Sequence, residues 1–104
     1  MATQLSTMIT GYYSQVVGGD LTKTWPLLTS DYQQNTARGF ANYQKFWQGM
    51  QKVTCTDVVA TAPDTVTATI GYFPKDGAAT QERTRFTLLQ EGGVWKIAHS
   101  VVVG

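Results

Sequence analysis

One cysteine and one histidine occur in 104 residues. The lone thiol, Cys55, has no partner for an internal disulfide, so no cross-linked framework holds the fold. It sits in VTCTDVVA with no base or cation beside it, which predicts a small buried apolar residue rather than a reactive thiol. One His and one Cys supply too few soft ligands for a metal site, and none is expected. Charged residues make up 14 % of the chain, well under the roughly 25 % of ordinary soluble domains. Thr and Gln therefore carry much of the polar surface, a composition commoner in exported proteins. The net charge is +1 and no basic run exists, so nothing calls for a nucleic acid or an anionic membrane surface as partner. No stretch of about 20 apolar residues is present, and no membrane insertion is expected from this chain. The pattern of a signal peptide is also missing, and the chain opens directly on a helical pattern. Both a free-standing protein and a domain of a larger one fit that opening. Phosphate loops, dinucleotide glycine patterns and nucleophile elbows are absent, so no cofactor is expected.

What the chain does have is aromatic: three Trp, five Tyr and four Phe. These supply much of the core of a single domain spanning residues 1–104. Leu5, Met8, Ile9, Tyr12, Tyr13 and Val16 fall on one face of a helix over residues 3–17, which Gly18-Gly19 stops. DLTKTWPLLT reads as a few helical turns around Pro26. Ser30 and Gln33 have the spacing of a capping box, opening a single turn that packs Tyr32 inward. Phe40, Tyr43, Phe46, Trp47 and Met50 form a second stripe, predicting a helix over residues 40–51. Its spacing favours core packing over an aromatic ligand box.

Beyond Lys52 the period changes to two. Strands are expected over residues 53–60, around 66–72, around Phe86 and Leu88, and over 94–102, with turns at Ala62-Pro63-Asp64-Thr65, Asp76-Gly77 and Glu91-Gly92-Gly93. Short connections imply an antiparallel meander. Helices placed before such a sheet give a two-layer α+β domain.

The order and the residues resemble the nuclear transport factor 2-like superfamily, and within it the extracytoplasmic C-terminal domains of actinobacterial serine/threonine protein kinases. The likeness rests on Tyr12-Tyr13, on Trp25 followed by Leu28-Thr29-Ser30-Asp31-Tyr32-Gln33, on Tyr43, Phe46 and Trp47, and on Thr84-Arg85-Phe86-Thr87-Leu88, Gly93, Trp95 and Ile97. It implies a nuclear transport factor 2-like cone. Three N-terminal helical segments would pack on the concave face of a curved four-stranded antiparallel sheet, leaving a pocket at the wide end. Tyr13 and Trp47 on the helices, with Tyr72, Trp95 and His99 placed by strand parity, would then face that pocket. The outer sheet face, with Thr67, Thr69 and either Thr84 or Thr87, would meet a second copy in a homodimer. The location implied is extracytoplasmic, on a membrane receptor, with a cytoplasmic protein as the alternative.

His99 is open to three readings: a polar residue near a strand end, a ligand contact, or a catalytic base. Catalysis of the ketosteroid isomerase type would use His99 or Asp57 as base, with Asp31 or Asp57 orienting the imidazole and Tyr13 or Tyr72 donating. Against it, Asp20, Asp64, Asp76 and Glu91 fall in expected turns, and Asp31 suits a helix start. Glu82 shares parity with Phe86 and reaches the pocket only if its strand is regular that far. Arg83 and Arg85 are expected on the opposite face, solvated or at a dimer surface. The favoured function is thus a non-catalytic ligand-binding, sensing or dimerisation module that takes a small apolar or amphipathic ligand or a peptide segment. A small isomerase, dehydratase or hydrolase is the alternative.

Overall fold

The computed structural model describes residues 2–104. Three helices and two irregular helical turns precede four strands. Helix α1 (Ala2–Tyr13) buries Leu5, Ile9 and Tyr12 along one face. It stops four residues short of the expected end. The amide of Gln15 bonds the Tyr12 carbonyl, an i→i+3 contact that tightens the chain and swings Val16 into the core. Gly18 follows with φ +77°, and a β-carbon on Gly19 would run into the Gln15 carbonyl. Both glycines are thus required by the turn.

Helix α2 (Leu21–Thr24) is capped by Asp20, whose carboxylate accepts from the Thr22 amide at 3.0 Å. A 3-10 turn over Trp25–Leu27 carries Pro26 at a position where its missing N–H costs nothing. The next turn is capped one residue earlier than the expected Ser30. The Thr29 hydroxyl accepts from the Tyr32 amide, and Gln33 reaches back to the Trp25 carbonyl at 2.9 Å. That turn widens into a π-helical loop at Tyr32–Thr36.

Helix α3 (Phe40–Gln48) buries Tyr43 and Trp47. It ends before residue 51, because the Gly49 amide closes on the last helical carbonyls and Met50 already begins strand β1.

The sheet has the order β1 (Met50–Thr61), β2 (Thr65–Pro74), β3 (Thr80–Glu91), β4 (Val94–Val102), every neighbouring pair antiparallel. The helices cover one face of it. Val66, Ala68, Ile70, Phe86, Leu88 and Ile97 point into that layer, each 2 % exposed or less. Burial of each large side chain among them contributes about 1.5–3 kcal/mol. Thr84 lies on the same inner face, so Thr87 is the residue that joins Thr67 and Thr69 outside. The β4 edge is partly covered: the Thr29 amide donates to the Ile97 carbonyl at 3.0 Å, and Leu28 bridges the same residue.

Three register shifts interrupt the pairing: Gln51 is extra at the start of β1, between the pairs Met50–Pro74 and Lys52–Phe73, and two bulges lie further along the strands. On β1, Asp57 and Val58 together oppose a single β2 residue, and Asp57 takes φ +52°. On β4, Ala98 is the extra residue between the pairs His99–Thr87 and Ile97–Leu88. Each bulge reverses the facing of the residues beyond it. Among the described residues, no helix is long and apolar enough to cross a membrane.

Candidate functional site

All five tyrosines of the chain line one cavity of about 220 Å³ between the helices and the inner sheet face. Tyr12 and Tyr13 come from the end of α1, Tyr32 from the wide turn, Tyr43 from α3 and Tyr72 from β2. Phe46 and Trp47 complete the aromatic wall, and Asn42 and Thr36 add polar groups at its border. The rings hold one another edge-on. Tyr13 meets Trp47 at 6.2 Å and Tyr12 at 5.0 Å between centroids, near perpendicular in both cases. Trp47 and Tyr72 lie closer to parallel, at 6.4 Å and 28°. Such contacts add about 0.5–1.5 kcal/mol each beyond simple burial and fix the shape of the wall.

The hydroxyls are organised as well. The Tyr12 and Tyr43 hydroxyls share a hydrogen bond of 2.9 Å, and Tyr43 meets the Thr24 hydroxyl at 2.7 Å. Thr24 is fully buried and donates to the Leu21 carbonyl at 3.3 Å. On the opposite side Tyr32 meets Ser100 at 3.0 Å. Burial holds the Tyr12 and Tyr13 hydroxyls far above the ordinary phenol range and raises Tyr32 and Tyr43 too. Tyr72 is pushed up to about 12, first by burial and then by the Glu82 carboxylate. The cavity is therefore neutral near pH 7, and among the described residues no carboxylate, imidazole or amine lines it.

Of the five residues expected at a pocket, Tyr13, Trp47 and Tyr72 meet here. Trp95 does not. It is half-buried and lines a separate groove beside Met8, Gly11 and Leu27, where its indole N–H has no partner among the described residues. His99 lies on the outer face. The extra residue at Ala98 turns it away from the side Ile97 faces, and Ser100 takes the inward position opposite Phe86. His99 is exposed, at the end of a row with Thr61, Thr65 and Thr87.

The other catalytic candidate, Asp57, is also exposed, held out by its own bulge. Its backbone carbonyl accepts from the Arg83 guanidinium at 2.7 Å, and the same nitrogen donates to Thr69 at 3.1 Å. Arg83 thus ties down the bulge across three strands, a role its expected solvated position did not suggest. Asp31 is exposed and accepts from Asn35 at 2.7 Å, so it orients no imidazole. Glu82 lies on the inner side of β3 but beyond the core, in an adjoining cleft with Phe46, Met50 and Tyr72. Cys55 is half-buried, and burial pushes its thiol pKa up. Among the described residues no group of three or more His, Cys, Asp or Glu comes together as metal ligands do.

Sequence reasoning missed Tyr12, Tyr32 and Tyr43 as cavity residues. A signal for them exists: buried stripes that use Tyr where Phe would pack equally well imply hydroxyls with partners.

The geometry defines a class: a two-layer α+β domain with a neutral, phenol-lined cavity between its layers. No protein-family model matches the chain, and no curated protein matches it.

Proposed function

We propose that the chain is a non-catalytic ligand-binding or sensing domain of the nuclear transport factor 2-like kind, serving outside the membrane as part of a receptor such as a serine/threonine kinase. Helical segments ahead of a four-stranded antiparallel meander, with bulges that bend the outer strands, support the cone. The observation that carries the functional reading is the convergence of five protonated tyrosines on one cavity while His99 and Asp57 stand outside it. A general base must reach its substrate's proton. Phenols held neutral bind and orient a guest instead.

The test is a screen of small neutral ring compounds followed through Trp47 fluorescence and the thermal midpoint. Saturable quenching with a rise in midpoint is expected, both reduced by Tyr72→Ala. A broad screen without any saturable response overturns the reading.

Dimerisation through the outer sheet face is a second role, favoured by one observation. Val59, Thr67, Arg85 and Val101 form a row across all four strands, and Val59 is 54 % and Val101 39 % exposed. A ligand would shift such a dimer only by binding one state better. Sedimentation with and without ligand decides it, and a monomer at every concentration removes it.

A further inference from the structure

We infer that the cavity selects a neutral one-ring compound carrying a hydrogen-bond donor, because the buried Thr24–Tyr43–Tyr12 chain presents an acceptor, and no free donor, at its cavity end. The inference deepens the ligand-binding reading above and rests on it.

The volume sets the size. About 220 Å³ exceeds the roughly 150 Å³ of an engineered apolar cavity that takes benzene, so one ring with a small substituent fits. The lining sets the charge. With only phenols as ionisable groups on its wall among the described residues, the cavity offers a carboxylate no cation to offset the loss of its hydration.

The hydroxyl order sets the polarity. Each hydroxyl has one proton to give and two lone pairs to receive. The chain starts at a group that only accepts, the Leu21 carbonyl, to which Thr24 donates. Thr24 must then accept from Tyr43, and Tyr43 from Tyr12. This order makes three hydrogen bonds. The reverse order makes two and leaves the Leu21 carbonyl without the Thr24 proton. Tyr12 therefore spends its proton inward and keeps a lone pair for the guest. A phenolic O–H or a ring N–H satisfies that lone pair, whereas an ether or a bare ring covers it and leaves it unpaired. The Tyr13 and Tyr72 hydroxyls lie outside this chain and adapt to either polarity. Thr24 acts through Tyr43 and is a positioning residue.

The experiment compares phenol, anisole, toluene and benzoate on the intact chain by calorimetry and amide chemical-shift titration. Phenol is expected to bind about three- to tenfold tighter than anisole, the range of one net hydrogen bond, with benzoate unbound. Thr24→Val removes the anchor and frees Tyr12 to donate, so the phenol-to-anisole ratio is expected to fall toward one while toluene binding stays unchanged. Tyr12→Phe, which keeps the ring, checks the same ratio should the valine variant fail to fold. If phenol, anisole and toluene bind alike, ligand binding stands and the donor selection is overturned. Benzoate binding as tightly as phenol also overturns it. If none of the four binds, this inference falls, and the broad screen described above then decides the parent reading separately.

Discussion

Strands β2 and β3 keep strict alternation, and strands β1 and β4 do not. On the inner pair Val66, Ala68 and Ile70 face the core opposite Phe86 and Thr84, without interruption. On the outer pair extra residues, two along β1 and one on β4, change which side chains meet the helices. The two kinds of strand have similar composition, so the difference teaches where parity is a safe guide. A central strand is held in register on both sides by ladder hydrogen bonds. An edge strand is held on one side and accommodates a bulge cheaply. Both catalytic candidates lay on edge strands, and both ended outside.

The sharpest test of this contrast is truncation on a regular strand. Phe86→Ala, at 1 % exposure and in contact with the Tyr13 ring, is expected to cost about 3–5 kcal/mol in urea denaturation. A loss under about 1 kcal/mol would mean that the regular pair is no more tightly packed than the edges.

Alkaline titration comes next in size. The five phenols are raised in the folded state relative to about 10 when unfolded. The unfolded chain therefore gives up protons first, and stability present below about pH 10 is lost as pH rises through roughly 10–12 and beyond. Absorbance at the phenolate band should stay low in the native protein well above about pH 10, then rise together with unfolding. Five ordinary titrations near pH 10 without unfolding would contradict the cavity. Glu82→Gln should bring Tyr72 down selectively, since its charge is the second cause of that shift.

Arg83→Ala probes the bulge itself. Loss of the bonds to the Asp57 carbonyl and Thr69 is expected to cost about 1 kcal/mol, with faster amide exchange confined to residues 56–59. Uniform exchange across the sheet would show that Arg83 does not hold the bulge. The smallest effect is assigned to His99→Ala. On the exposed outer face it should change stability by no more than about 0.5 kcal/mol and leave ligand binding as it was. Loss of binding in that variant would return His99 to the cavity and undo the comparison.

Much of the architecture was legible from spacing. The apolar stripe of α1, the stripe of α3 and the alternation in β2 each come from burying one face of a regular element. Glycine pairs at 18–19 and 92–93 mark turns that need positive φ, and Gly18, Gly92 and Gly93 take it. The ends of elements were less legible. Helix α1 stops at Tyr13 and α3 at Gln48, because tightening of the last turn depends on where the next segment docks. The cavity was half legible. Tyr13 and Trp47 could be placed by their helical stripes and Tyr72 by strand parity, but Tyr32 reaches it through a π-helical turn that no periodicity announces.

By itself the sequence determined a single antiparallel α+β layer pair with an aromatic interior, since hydrophobic periodicity acts within one element and survives any packing. Only the tertiary structure decided that His99 and Asp57 face outward, that Ser100 faces Tyr32, and that five phenols surround one hollow. An inserted strand residue is chosen by how the sheet must bend against the helices, and that choice belongs to contacts between distant parts of the chain.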